Sequence, residues 1–532
     1  MTDAPPPAAS APTPAASSTS APAPEPVPGA ARVPARLQRL LTPATLFYVA
    51  VALFVSAPAW IVKHPPLQDL PFHLATIRII KSFHDPAYGF DHEFALTLGR
   101  TQYVVYYLLA ALFSTVVGLV GANVILVSIY LGGTVLALRD LLRALGKDGR
   151  LSLFVVPVLI NILFIYGLLQ FLFGIPVMLW ALATAVRYFE EPTRKRGALL
   201  ATLALVLFYS HVFPFGIFAI GFLAMFPWES PQKWLRAALP TLPAFAVVVW
   251  WLSSTTAGRL VFGAATDNRG DPHRAPDAAI LDLPNWFTNV FRDNTDEYTL
   301  IALVVLVVTT LGLSASDPDP SKPVARRYFI LPALSVVLYF VLPEGHGYIW
   351  LIAQRFPLLF AITAIPLLRM PRGHRGFAVT SLALALAGYS TVNTCNHFIR
   401  FERDDVGDIE GAIDAIPPRS KVCALIYDRG SSMMSNQPFL HFGSYYQVEK
   451  GGVVEFTYAG YAHWPVDFLP GHYPPPGGSA RLRWEWTPEQ VTMGEIFPYY
   501  DYVLTRGSGF RPSAGTYHLK WRGGRWAVWE KG

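Results

Sequence analysis

The chain has 532 residues, 52% of them hydrophobic and only 15% charged, with a mean hydropathy of +0.35. Ordinary soluble domains carry about 25% charged residues, so a composition this apolar reads as a polytopic membrane protein and excludes a purely soluble enzyme. A formal charge of +6 invites nucleic acid, but the basic residues sit mainly in short loops between apolar runs and form no recognised motif, so no nucleic-acid partner is expected.

Residues 1–35 are rich in Ala, Pro and Ser and cannot bury a core, which predicts a disordered tail. Arg32, Arg36 and Arg39 precede the first apolar run, Ala44–Val62. The positive-inside bias then keeps the N-terminus in the cytoplasm. A run of about 20 residues crosses a bilayer, so residues 63–101 form a first extracytoplasmic loop within a transmembrane domain of residues 36–396.

That loop carries Asp69 two residues ahead of Pro71, followed by Leu70, Leu74 and Ile77 at helical spacing and by Phe72, Ile79, Ile80 and Phe83. His73, Arg78 and Lys81 make the segment too polar to span, which predicts a short amphipathic helix lying along the membrane surface with Asp69 at its mouth. Asp69 then serves either as the helix N-cap or as a chemical group. Asp85, Asp91 and Glu93, with His84 and His92 between them, form a second acidic cluster. Asp69 and His73 are four apart, on one helix face, yet no tight zinc signature accompanies them.

Further apolar runs follow at Tyr103–Val120, Asn123–Leu138, Leu151–Tyr166, Phe171–Val186, Ala198–Ser210, Val212–Phe226, Ala237–Leu252, Leu300–Leu313, Phe329–Leu342, Ile349–Leu368 and Phe377–Val392. With the first, they predict about 11–13 transmembrane helices. Basic clusters around Arg139, Arg194, Arg326 and Arg372 mark cytoplasmic turns. One conflict arises, because an odd number of crossings is needed between Arg100 and Arg139 and two runs lie there. The turn at His211, the Glu344–Tyr348 loop with His346 and the C-terminal region fall on the outer side. Gln170 joins them only if a half-span lies nearby.

Ionisable residues near membrane depth are functional candidates. Arg355 sits a few residues inside an apolar run, where its planar fork suits a phosphate and where the bland reading is snorkelling or pairing with Glu344. His211, at a turn between two runs, reads first as an interhelical hydrogen bonder. Residues 397–532 gain charge, Gly, Pro and Trp and read as a soluble extracytoplasmic α/β or α+β domain. It should hold a helix at Asp408–Ile416, strands at Val422–Tyr427 and Tyr502–Leu504, and a hairpin around Gly523-Gly524. Its aromatic segments, Tyr458–Trp464 and Trp484–Trp486, read as core before they read as a sugar platform. Cys395 and Cys423 could pair or stay free.

The motifs Gln68-Asp69-Leu70-Pro71-Phe72-His73 and Gln354-Arg355-Phe356-Pro357, in this layout of spans and exported domain, resemble the GT-C superfamily of integral membrane glycosyltransferases. The resemblance implies sugar transfer from a polyprenyl-phosphate-linked donor to a lipid, glycan or protein acceptor, on the outer side of the cytoplasmic (inner) membrane, by a single inverting displacement. Asp69 would be the general base, with Asp85, Asp91 and Glu93 as second acidic candidates. Arg355 would hold the donor phosphate, assisted by Arg78, Lys81 and His73, with His211, Glu344, His346 and Gln170 as further polar candidates. The family pairs adjacent acidic residues where this chain has Asp69 between Gln68 and Leu70. No obligatory metal is expected, although a pyrophosphate-linked donor would favour a divalent ion. A transporter or flippase of a lipid-linked or small polar substrate is the alternative, and a C-terminal sensor or assembly module is a third reading.

Overall fold

The computed structural model describes residues 42–266, 270–347, 349–475 and 484–532. The tail 1–35 and Tyr348 lie outside the described residues. Residues 48–532 form one unit, mostly helical, with a small sheet near the C-terminus.

The helices that matter for the site are α1 (Pro43–Val55), α2 (Leu70–Lys81), α3 (Val105–Ala144), α4 (Leu169–Glu190), α5 (Arg194–Phe208), α6 (Val212–Met225), α7 (Leu242–Ser254), α8 (Thr295–Ser314), α9 (Ile330–Val341), α10 (Phe356–Ala364), α11 (Gly373–Arg400) and α12 (Ser444–Lys450). Among the described residues, four helices are long and apolar enough to cross a membrane: α3, α4, α8 and Val324–Val341, which contains α9. A pair bent by 67°, Pro231–Ala238 with α7, makes up to five. Shorter apolar helices include α1, Gly149–Leu159, α6 and Ala353–Leu367. The structure is that of a membrane protein, but its apolar runs are less uniform than a count of 11–13 regular spans.

Two of those runs merge. Tyr103–Val120, from Val105 onward, and Asn123–Leu138 fall within α3, interrupted at Gly118, whose φ of 74° and ψ of 171° are not helical. A side chain would strain that backbone. The limb before the break is about 20 Å long at 1.5 Å per residue, short of the roughly 30 Å hydrocarbon core, whereas the limb after it is long enough. The run Leu151–Tyr166 is broken as well, into a 3-10 segment and two short helices, Val156–Leu159 and Ile162–Tyr166. Extended Asn161 separates those two, its side chain accepting from the Leu163 and Phe164 amides.

Helix α2 departs from its expected setting. Nine of its residues are buried, including Phe72, His73 and Thr76 as well as Leu70, Leu74 and Ile77, so it is not a surface helix with one wet face. One side packs on α3, where His73 Nδ1 and the Tyr107 hydroxyl are 2.9 Å apart. The other is covered by residues from the C-terminal region: Trp464 Nε1 donates to Thr76 Oγ1 at 2.9 Å, and Arg78 Nε donates to the Val448 carbonyl at 2.8 Å.

The C-terminal sheet has five strands: β2 (Lys421–Ile426), β3 (Val453–Val454), β5 (Tyr502–Arg506), β6 (Tyr517–Gly523) and β7 (Trp526–Lys531), in the order β3-β2-β5-β7-β6. The first three run parallel and the last two close antiparallel, an α/β core with a hairpin edge. Two shorter strands, β1 (Phe94–Leu96) and β4 (Val466–Phe468), pair antiparallel with Phe94 opposite Phe468. They tie the first loop to the C-terminal region. Cys395 and Cys423 are both free.

Candidate active site

The turn after Ile162–Tyr166 fixes the approach to Asp69. The Gln68 amide donates to the Ile165 carbonyl at 2.8 Å and the Asp69 amide to the Tyr166 carbonyl at 3.1 Å. Gly167 takes a φ of 84°, and a Cβ there would stand 3.1 Å from the Asp69 nitrogen and 3.3 Å from its Cβ. Only glycine allows both the left-handed turn and the close approach. Asp69 then precedes α2 without capping it, since its side chain makes no cap hydrogen bond. Its carboxylate turns to the C-terminal region instead. Oδ2 accepts from the Tyr458 hydroxyl at 3.2 Å, and Oδ1 lies 3.1 Å from His441 Nδ1, a close ion pair whose N–H is off the ideal line. His441 Nε2 contacts Glu485 Oε1 on its other side, and the side chains of His441 and Glu485 are 4% and 5% exposed.

This row of acid, base and acid is buried, with consequences for its protons. Burial works against the imidazolium of His441, but the Glu485 carboxylate and then Asp69 outweigh it and push its pKa up to about 9. Burial raises the Glu485 carboxyl, and the charge of His441 opposes that rise. Glu455, pushed up to about 8 by burial, lines a small adjoining void with His441 and Glu485.

Asp69, His441, Tyr458 and Glu485 open onto a cavity of about 830 Å³, which is also lined by Gln68, His73, Tyr103, Gln170, His211, Arg355, His463 and the aromatic faces of Phe171, Trp350, Trp464 and Trp486. Arg355 is the cationic wall of this space. It closes a 3-10 turn, Ala353–Arg355, just ahead of α10, and is 6% exposed. Its Nη2 donates to the Trp350 carbonyl at 3.4 Å. Among the described residues, Nε and Nη1 have no hydrogen-bond partner and no carboxylate pairs with the guanidinium. The rings of Phe171 and Phe213 lie 5.6 and 5.0 Å from the guanidinium. A buried guanidinium left this open costs several kcal/mol unless an anion meets it. Glu344, the alternative partner, is bound to Arg274 and accepts from Gln354 Nε2 at 3.2 Å.

The remaining candidates divide clearly. His73 lines the cavity with both ring nitrogens engaged: Nε2 donates to the Gly167 carbonyl at 2.8 Å, which leaves Nδ1 to accept from the Tyr107 hydroxyl at 2.9 Å and the Gln170 amide at 3.2 Å. Burial lowers its pKa to about 4, so it stands as a neutral strut beside Asp69. His211 does cap a helix: its Nδ1 accepts from the Phe213 amide at 3.2 Å, so Nε2 carries the proton and donates to the Tyr103 hydroxyl at 3.2 Å. Arg78 and Lys81 do not line the cavity, their side chains donating to the carbonyls of Val448 and Ser114. Asp85, Asp91 and Glu93 also lie outside it: Asp85 accepts from the Ala87 amide, Asp91 lies 3.9 Å from His84 and His92, and Glu93 meets His472. His346 is bound to Asp271 at 2.6 Å.

His441, Tyr458, His463 and Glu485 escaped the reading of the sequence as site residues. A signal existed, since Phe439-Leu440-His441-Phe442 and Trp484-Glu485-Trp486 each set one ionisable group among large apolar ones, and a buried charge needs a partner. Among the described residues, no group of three or more His, Cys, Asp or Glu side chains could hold a metal ion.

No protein-family model and no curated protein matches the chain. Solved structures similar to it include ArnT from Cupriavidus metallidurans in the apo state, at 11% identity and a TM-score of 0.38, covering 91% of this chain and 97% of that one. ArnT from the same organism bound to undecaprenyl phosphate is similar at 10% identity and a TM-score of 0.39, with the same coverage of both chains.

Proposed function

We propose that the protein is a membrane glycosyltransferase that moves a sugar from a polyprenyl-phosphate donor to an acceptor hydroxyl on the outer side of the cytoplasmic membrane, with inversion. The observation that carries this reading is one cavity lined both by a carboxylate with fixed orientation, Asp69, and by a buried arginine with two unpartnered nitrogens, Arg355. Transfer needs those two groups at the two ends of one displacement. The acceptor oxygen attacks the anomeric carbon as the bond from that carbon to the phosphate oxygen breaks. The hydroxyl proton passes to Asp69, and the charge growing on the departing phosphate is met by Arg355. Phe171 and Phe213 beside the guanidinium lower the local dielectric, which strengthens that contact. An aromatic wall that includes Trp350, Trp464 and Trp486 suits the faces of sugar rings.

The reading is tested by sugar transfer in nanodiscs, with purified protein, radiolabelled polyprenyl-phosphate sugars and a membrane extract as acceptor. Wild type should give labelled product, and Asp69→Asn should lower the rate at least about a hundredfold, within the range of a general base. Undiminished transfer by Asp69→Asn would remove the base assignment. Movement of the carrier lipid across the bilayer without sugar transfer would favour a flippase.

A further inference from the structure

Asp69 is buried beside a second carboxylate, with one ring between them. Its side chain is 12% exposed, that of Glu485 is 5% exposed, and His441, at 4%, bridges the two. Two carboxylates this close and this dry cannot both stay ionised without a cation between them. Phe72 of α2 is stacked on the ring at 3.9 Å, and Phe456 lies 5.9 Å from the ring and 5.3 Å from Phe72. An imidazolium has one N–H for each carboxylate, which a neutral imidazole lacks.

We infer that His441, braced by Glu485, is the positioning residue that keeps Asp69 ionised and oriented as a base, so the C-terminal region completes the catalytic centre. The inference rests on the reading of Asp69 as the base. It assigns the C-terminal segment a direct part in the reaction in place of a sensor's role at a distance. Neither His441 nor Glu485 needs to touch the reacting atoms, because their effect passes through Asp69. Other groups near the row are accounted for. Tyr458 donates to Asp69 Oδ2, His73 is a neutral neighbour of Asp69, Glu455 lines the void behind His441 and Glu485, and Arg429 reaches the Glu485 carbonyl with Nη1 at 3.2 Å. None of these lies between the two carboxylates.

The charge pattern gives a test that simple loss of packing would fail. His441→Gln removes the cation and leaves two buried carboxylates, so the acidic limb of the pH–rate profile should move up by one unit or more. Activity should fall at least tenfold at a pH on that limb and recover most of that loss at higher pH. His441→Gln/Glu485→Gln removes the second carboxylate too, and its acidic limb should return toward that of wild type. The Michaelis constant for the polyprenyl-phosphate sugar should change less than threefold in both variants. A uniform loss at every pH in His441→Gln, or a double variant no better than the single one, would overturn the inference. Asp69→Asn is run alongside. If Asp69→Asn keeps its activity, the base assignment itself has failed; if Asp69→Asn is inactive while His441→Gln keeps the wild-type profile, only the role of His441 has failed.

Discussion

Arg355 and His441 are both cations buried in the wall of one cavity, and their surroundings give them opposite roles. His441 stands between two carboxylates, whereas among the described residues no carboxylate pairs with Arg355 and two of its nitrogens have no hydrogen-bond partner. Arg355→Lys keeps the charge and loses the planar fork, so the Michaelis constant for the donor should rise about tenfold, equivalent to about 1.4 kcal/mol, with a smaller change in kcat. Arg355→Ala should cost at least a hundredfold in kcat/KM, and steady-state kinetics over a range of donor concentrations separates the two. The raised pKa of His441 also has a sign in stability. Its folded value of about 9 exceeds the ordinary 6.5, so its contribution is full below about pH 6.5 and lost as pH rises through 9. Glu455, raised to about 8 from 4.5, acts in the same direction at lower pH. Thermal unfolding in detergent should therefore give a higher Tm at pH 6 than at pH 9.5, with a smaller difference in His441→Gln/Glu485→Gln; an equal difference would contradict the ion pairing.

Among the elements, the turn at Gly167 and helix α2 do the positioning. Gly167→Ala places a methyl group against Asp69 and puts a side chain at a φ of 84°, a backbone cost of about 1–2 kcal/mol. The expected result is a modest fall in Tm together with a loss of transfer of at least tenfold, since the displaced residue is Asp69 itself. A fall in Tm with full activity would show that the turn does not set the base. Helix α2 was legible in the sequence because its apolar spacing is regular, and Asp69 was legible because the motif around it stands out from two apolar runs. Its burial was not legible. Periodicity records which faces are apolar, but His73 and Thr76 are covered by hydrogen-bond partners, Tyr107, Gln170 and Trp464, that lie far along the chain. Four of the five strands of the C-terminal sheet could be read from their short apolar runs and turn residues, whereas β3, only Val453–Val454, could not. The breaks at Asn161 and Gly118 could not, because a buried broken helix and a membrane span present the same apolar run.

Across the whole molecule, the C-terminal region and the first loop form a single wall of the cavity. Strands β1 and β4 pair, α12 lies beside α2 through the Arg78 contact, and Tyr458, His441 and Glu485 converge on Asp69. Composition alone set residues 397–532 apart as a different kind of segment, and no local pattern recorded which part of the membrane region they would touch. If this resting arrangement is the working one, a disulfide across the pair opposite in register, Ala95→Cys with Asp467→Cys, in a background lacking Cys395 and Cys423, should leave transfer within about twofold of the reduced form. Loss of activity on oxidation, restored by reduction, would mean that the two segments must separate in each cycle.

The most direct measurement is donor binding beside single-turnover transfer, made on wild type, Asp69→Asn and Arg355→Ala with one labelled polyprenyl-phosphate sugar. Asp69→Asn should bind the donor within about threefold of wild type and transfer at least about a hundredfold more slowly, while Arg355→Ala should lose binding. Wild-type transfer by Asp69→Asn, or undiminished donor binding by Arg355→Ala, would contradict the division of labour on which this account stands.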